Sequence, residues 1–367
     1  MNSKAYRCWA EIDQRALRHN AEVVRNRLGP SVELLAVVKA NGYGHGMVGV
    51  ARAMAQNAHF FGVANLEEAT ILRSEIGQPI IILGPALPAE RSLVAEGGFI
   101  PSVSTFEEAR EFDRVAQGAP VAINLVIDTG MGRMGVPQAD AIALFKKVVT
   151  LPNIKIHSLS THLPVSNEDA DFTRKELAEF AELVEKLRAE FPGDYKAHVL
   201  QSAGALAFAD PPFDIVRAGI ILYGISPLPE FQKLLRPALA WKTRISLIRD
   251  MPAGHGISYG RTFITPREMR VATLSAGYAD GYPRHLSNRD AAVLVRGQRC
   301  ALLGRVTMDL MMIDVSHINE AAVDDEVVLL GHQGDQEISA TELADRAETI
   351  SWEITTRIGA RVPRVYV

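Results

Sequence analysis

Residues 34–46 read LLAVVKANGYGHG, a run of apolar residues that stops on Lys39 and passes at once into a glycine-rich turn. Leu34 to Val38 is too short for a helix and ends on two β-branched residues, so it predicts a strand covered on both faces. An ammonium group at the end of such a strand is costly unless it has a partner or a task. Two readings compete. In one, Lys39 is a solvated residue at a strand end, and Asn41, Gly42 and Gly44 form an ordinary turn. In the other, the amine is a nucleophile whose pKa is lowered by desolvation, as Schiff-base lysines require. The surrounding chain decides between them.

Working outward, the N-terminal stretch predicts a short strand from Arg7 to Ile12 and then an amphipathic helix with Asp13 as N-cap, since Leu17, Ala21, Val24 and Leu28 share one helical face. After the Lys39 strand a helix is predicted over 46–56. Strand-like runs follow at 60–64, 79–83, 99–103, 121–128, 154–161, 197–201 and 215–220, with helical stretches between them at 105–117, 138–149 and 167–191 among others. Eight strands with interleaved helices predict an α/β fold, a closed (β/α)8 barrel of the TIM type, with an open parallel sheet as the alternative that periodicity alone leaves in play. In such a barrel chemistry belongs at the C-terminal ends of the strands. The unusual polar residues collect there: Lys39 after strand one, Asp128 to Arg133 (DTGMGR) after strand five, His162 at the end of strand six, Ser202 after strand seven and Arg217 in strand eight.

Each of these residues has a plainer reading. A lone histidine is more often structural than catalytic, Ser202 can serve as a helix N-cap, and the glycines of DTGMGR can serve only a tight turn. Arg217 is harder to dismiss, because an arginine in a barrel strand keeps its charge and needs a partner. Five coincidences at one barrel face are less economical than one shared site.

The chain has 367 residues, enough for two domains. Its apolar and charged fractions, 47% and 22%, are those of a globular protein rather than a disordered or repeat-built one. A net charge of −4 gives nucleic-acid or membrane-surface binding no support. Cys8 and Cys300 make no disulfide framework, the start lacks the apolar core of a signal peptide, and no apolar run is long enough to span a membrane. The expected location is the cytoplasm. A metal centre is the weakest option, since His157 and His162 lie five apart in a strand-like segment and leave on opposite faces.

Beyond Pro229 helices give way to closely spaced strand-like runs at 240–248, 270–274, 291–295, 300–303, 311–315 and 326–330, with one late helix expected at 341–357. The division drawn from this pattern is a barrel domain at 1–235 and a β-rich domain at 236–367, with the strand near 6–12 assignable to either. Two segments of the second domain carry chemistry. GHGISYGRTF sets Tyr259 between glycines, and GYADGYPR carries Tyr278 and Asp280.

Taken together, AVVKANGYGHG, DTGMGRMG, STHL, VRAGIILYG, GISYGRTF, GYADGYPR, GRVTMD and the closing RVPRVYV resemble the bacterial alanine racemases. The likeness keeps the same order from the first strand to the last seven residues. It implies an isomerase that uses pyridoxal 5′-phosphate (PLP) to interconvert L-alanine and D-alanine, supplying D-alanine for cell-wall peptidoglycan. It also implies roles. Lys39 holds PLP through its amine and acts as one of two bases, and Tyr259 is the second base, reaching the cofactor from the neighbouring subunit of a homodimer with shared active sites. Tyr43, Ser202, Gly219 and Ile220 bind the phosphate. Arg217 faces the pyridine nitrogen with His162 beside it, Arg133 holds the phenolic oxygen at the substrate site, and Tyr278 with the backbone at Met308 meets the substrate carboxylate.

Three positions depart from the family pattern. Val126 stands where many members carry a carbamylated lysine, so whatever braces Arg133 must differ; Asn124 points to the same side of the strand and is a candidate, alone or with an anion. Ala360 replaces a phosphate-contacting tyrosine, and Thr307 a common cysteine. The rival readings are a broad-specificity amino-acid racemase, a PLP-dependent decarboxylase, against which Arg217 argues, and a non-enzymatic PLP carrier, which has no use for Tyr259 or a second domain.

Overall fold

A computed structural model describes residues 6–116, 118–208 and 213–367. The chain divides into two units, one comprising Arg15–Gly42 and Met47–Arg236, the other Met1–Gln14, Tyr43–Gly46 and Pro237–Val367.

In the first unit eight parallel strands run Glu33–Val37, Phe60–Val63, Ile80–Pro85, Ile100–Val103, Val121–Asp128, Ile154–Ser160, Lys196–His198 and Ile215–Ala218. Each pairs with the next, and the eighth returns to the first with Arg217 opposite Leu35, so the sheet closes and no edge is left. The open-sheet alternative is thereby excluded. Burial on both faces explains the apolar runs: Leu34, Leu35, Ala36 and Val37 of the first strand are all buried, as are all four residues of Phe60–Val63.

The helices around the barrel begin where side chains can satisfy their first N–H groups. Phe106–Val115 is capped by Thr105, whose hydroxyl accepts from Glu108 N–H while the Glu108 carboxylate accepts from Ser104 and Thr105 N–H. The expected end of that helix, Gln117, lies outside the described residues. Ala170–Glu190 is capped by Asp169 and buries Phe180, Leu183, Val184 and Leu187 along one stripe.

The second unit is a mostly antiparallel sheet built on the 13-residue strand Leu239–Met251. That strand pairs with Cys8–Ile12, Met269–Leu274 and Glu326–Gln333. Cys8–Ile12 also pairs, in parallel, with Arg364–Tyr366, so the short strand read near 6–12 lies in this sheet beside the closing strand of the chain. Met251, Ile257, Met269, Val271 and Leu303 form a hydrophobic cluster within it.

The single late helix expected at 341–357 is two, Ala340–Ala347 and Ser351–Thr356. Glu348 takes a left-handed conformation that ends the first, with its N–H returned to Ala344 and Asp345 carbonyls. The apolar period runs through the break, which is why the sequence reads as one helix. Among the described residues no helix is long and apolar enough to cross a membrane. Cys8 and Cys300 are both free and buried, and burial pushes each thiol up to about 12.

Candidate active site

Lys39 follows the first barrel strand, and the chain after it curls the wrong way for L-residues. Ala40, Asn41, Gly42 and Tyr43 all have φ between 51° and 62°, a left-handed turn that costs roughly 1–2 kcal/mol for each residue bearing a Cβ. Neighbouring groups hold it in place. Gly42 N–H donates to Val38 C=O at 2.8 Å, Met47 N–H donates to Asn41 Oδ1 at 3.0 Å, and Ala40 N–H donates to Glu68 Oε1 at 2.8 Å. The Lys39 ammonium is held below its ordinary range, first by burial and then by the Arg133 charge, with Glu68 opposing and Arg217 adding to the shift. Lys39 is thus half-buried rather than freely solvated, and its amine is easier to deprotonate than that of an exposed lysine.

Arg217 is buried and spends its N–H groups on the barrel. Nη1 donates to His198 Nδ1 at 2.6 Å and to His198 C=O at 3.0 Å; Nη2 donates to the carbonyls of Thr161 at 2.5 Å and Val199 at 2.8 Å. Nε–H is the one N–H for which no partner is found among the described residues. His162 Nδ1 lies 3.4 Å from Nη2, and burial followed by the Arg217, Arg133 and Lys39 charges pushes His162 down to about 3, so it is neutral.

Behind Arg217 a chain of hydrogen bonds crosses the barrel interior with its proton directions determined. Ser102 O–H donates to Ile82 C=O, Asn124 Nδ2–H to Ser102 Oγ at 3.1 Å, and Ser158 O–H to Asn124 Oδ1 at 3.0 Å. Ser158 Oγ is then an acceptor for His198 Nε2, 3.2 Å away. This assigns His198 as the neutral Nε2–H tautomer, with its Nδ1 lone pair facing the Arg217 guanidinium. Burial, the Arg217 charge and His157 all push the His198 pKa down, in agreement with that form.

Asn124 thus does not brace Arg133, contrary to expectation. Both ends of its amide are taken inside the barrel, and Val126 is buried and apolar. The DTGMGR loop is held instead by its own residues and by a helix. Asp128 Oδ1 accepts from Gly130 and Gly132 N–H, and Thr129 Oγ1 lies 2.8 Å from Thr161 Oγ1 and 3.1 Å from Glu176 Oε1. Glu176, buried on Ala170–Glu190, carries no sequence signal beyond an acidic residue on an apolar helix face. The Arg133 guanidinium itself has no hydrogen-bond or ion-pair partner among the described residues and is exposed.

Ser202 opens the helix Ser202–Ala207, but the cap is Gln201, whose Oε1 accepts from Gly204 N–H. Ser202 Oγ accepts from Gly219 N–H at 2.9 Å, which leaves the serine proton to donate to an anion and the Gly219 N–H engaged. Ile220 begins the turn Ile220–Tyr223.

The remaining candidates belong to the second unit. Tyr43 is buried and burial raises it to about 12, so its hydroxyl stays protonated as a donor. Tyr259 is 72% exposed, Met308 53% and Tyr278 38%, so none of them belongs to the core. Tyr259 stands in a turn where Ser258, Gly260 and Arg261 all have positive φ, fixed by Ser258 O–H donating to Arg305 C=O at 2.6 Å.

Residues 12–227 match the alanine racemase N-terminal domain family and residues 238–366 the alanine racemase C-terminal domain family. The chain belongs to the alanine racemase family. It is 42% identical to the alanine racemase of Halothermothrix orenii, over 100% of this chain and 98% of that one, and 42% identical to that of Symbiobacterium thermophilum, over 98% and 96%. The solved structure of alanine racemase from Bacillus anthracis with bound L-Ala-P superposes with a TM-score of 0.91 at 34% identity, covering 98% of this chain and 95% of that one. That of the Bartonella henselae alanine racemase with covalently bound pyridoxal phosphate gives 0.89 at 28% identity, covering 99% and 100%. Reaction and cofactor follow from the family: an isomerase of L- and D-alanine that depends on PLP. The residues present fit such a group. An amine of lowered pKa, a serine hydroxyl with a proton to give and an arginine with Nε–H to spare suit an aldehyde, a phosphate and a ring nitrogen.

Proposed function

We propose that the chain racemises alanine by a two-base mechanism in the cytoplasm, as a head-to-tail homodimer, with the barrel unit supplying most of the cofactor site and the second unit the groups that complete a partner's site. PLP, when bound, supplies an electron-accepting ring that acidifies the substrate Cα–H. Lys39, its amine kept easy to deprotonate by burial and by Arg133, is suited to take or return the Cα proton on one face. Tyr259, exposed on its strained turn, is assigned the proton on the other face; inversion needs two bases, one for each face. Arg217, whose charge the carbonyls of Thr161, His198 and Val199 stabilise, faces the ring nitrogen and keeps it unprotonated. His162 stays neutral at its side. Tyr43 and Ser202 donate O–H groups to the phosphate, with Gly219 and Ile220 shaping the same end. Arg133, without another partner, is available to the phenolic oxygen and substrate, and Tyr278 and the Met308 backbone take the carboxylate.

The observation that carries the reading is the convergence of Lys39, Arg133, His162 and Arg217 on one electrostatic neighbourhood at the C-terminal ends of the strands. The test is the rate at which purified protein with added PLP racemises L-alanine, with L-serine, L-lysine and L-arginine in parallel. Strong preference for alanine is expected; comparable rates on the basic residues would make it a broad-specificity racemase.

A further inference from the structure

The closing RVPRVYV places two arginines three residues apart, and neither enters the roles above. Arg361 reaches two carboxylates. Its Nε donates to Asp280 Oδ1 at 2.8 Å, and Nη2 donates to Asp280 Oδ2 at 3.1 Å and to Asp309 Oδ1 at 2.6 Å. Asp280 is fully buried, and its four contacts, completed by Arg7 Nη2 and Gly277 N–H, fix the position of its carboxylate. Asp280 closes the turn that carries Tyr278, and Asp309 follows Met308. The two loops are also strapped by backbone: Tyr278 N–H donates to Thr307 C=O at 3.0 Å and Ala279 N–H to Met308 C=O at 2.9 Å. A Cβ on Gly277 would sit 2.3 Å from the Thr307 oxygen, so only glycine allows the approach.

Arg364 pairs with no carboxylate among the described residues. Its donors go to backbone oxygens: Nε to Gly44 at 2.9 Å, Nη1 to Gly359 and Val362, and Nη2 to Ile358, each at 2.7 Å. Two residues on, Tyr366 O–H approaches the His45 and Gly46 carbonyls at 3.2 and 3.1 Å. Arg364 and Tyr366 therefore hold all three residues that follow Tyr43.

We infer that the C-terminal heptapeptide is a two-armed positioning device: Arg361 sets Tyr278 and Met308 for the substrate carboxylate, and Arg364 with Tyr366 sets Tyr43 for the cofactor phosphate. The inference rests on the proposed roles of Tyr278, Met308 and Tyr43. It makes the last seven residues control two separable affinities, although none of them is assigned a contact with either ligand.

The test measures the dissociation constant of PLP from the reconstituted protein and, at saturating PLP, KM and kcat for L-alanine. Arg361→Lys, which cannot reproduce the planar fork, is expected to raise KM about ten-fold with kcat little changed and PLP affinity intact. Arg364→Lys is expected to weaken PLP about ten-fold and, at saturation, to leave KM alone. Asp309→Asn and Tyr366→Phe repeat the two arms with smaller perturbations in case an arginine variant fails to fold. Both constants moving together in every variant, or neither moving, would overturn the inference. Tyr278→Phe and Tyr43→Phe serve as references. If Tyr278→Phe leaves KM unchanged or Tyr43→Phe leaves PLP affinity unchanged, the assigned role is wrong; if both references respond and the heptapeptide variants do not, the positioning device is wrong.

Discussion

The barrel mouth and the tyrosine loops of the second unit solve opposite problems. In the barrel unit Arg217, His198 and Asn124 sit deep, and nearly all of their hydrogen-bonding capacity is spent on the barrel itself: Arg217 on four acceptors, His198 on two ring contacts, Asn124 on both ends of its amide, while Arg133 stays exposed. In the second unit Tyr259, Tyr278 and Met308 are turned outward, and the bracing lies beneath them in Asp280, Arg361 and Arg305. Outward-facing aromatics on rigid loops are suited to a surface that another molecule supplies.

The contrast can be broken most decisively at Lys39. Lys39→Ala is expected to remove covalent PLP attachment and to lower racemisation by about 10⁴ or more, read by loss of the bound-cofactor absorbance together with turnover. Tyr259→Phe comes next, with a loss of about 10²–10⁴ and the cofactor colour retained. Its losses should differ between the two directions of Cα proton exchange, followed by solvent deuterium incorporation from L- and D-alanine separately; equal losses would contradict face-specific bases. Mixing the two inactive variants sharpens the comparison further. If one subunit's tyrosine serves its partner's lysine, a hybrid dimer regains one intact site, and random pairing of equal amounts restores up to about a quarter of wild-type activity. No recovery after subunits have demonstrably exchanged would place both bases on one chain.

The smallest effect concerns His198, deep in the barrel. Its native pKa lies well below the ordinary 6.5, whereas the unfolded chain binds a proton near that value. The stability tied to its neutral form is fully present above about pH 6.5 and falls as pH drops from there toward the native pKa, because only the unfolded state takes up the proton. Melting of the PLP-loaded protein between pH 7.5 and 5 should show this. His198→Gln, which keeps a donor and an acceptor, should flatten the slope by at most about 1.4 kcal/mol per pH unit.

Much of this arrangement was legible in the sequence because its signals are local. Strand runs such as LLAVV, helix-period faces such as Leu17, Ala21, Val24 and Leu28, and unusual polar residues at strand ends gave the barrel and the placement of Lys39, His162 and Arg217. What escaped depends on partners far apart in the chain. Asn124 looked available because it points to the same side of its strand as Val126; only the adjacent strands bring Ser102 and Ser158 to it. Glu176 reaches Thr129 from 47 residues away, and Arg361 reaches Asp280 from 81. The break at Glu348 was invisible because a left-handed cap on a non-glycine residue leaves no mark in composition.

One feature beside Lys39 has a stereochemical side. Ala40 holds φ 52° and ψ 51°, the mirror image of the conformation that L-alanine prefers and the one its D-antipode adopts without penalty. A chain whose reaction erases the handedness of free alanine keeps an alanine of its own, one residue from the amine assigned to that reaction, in the backbone shape of the opposite hand.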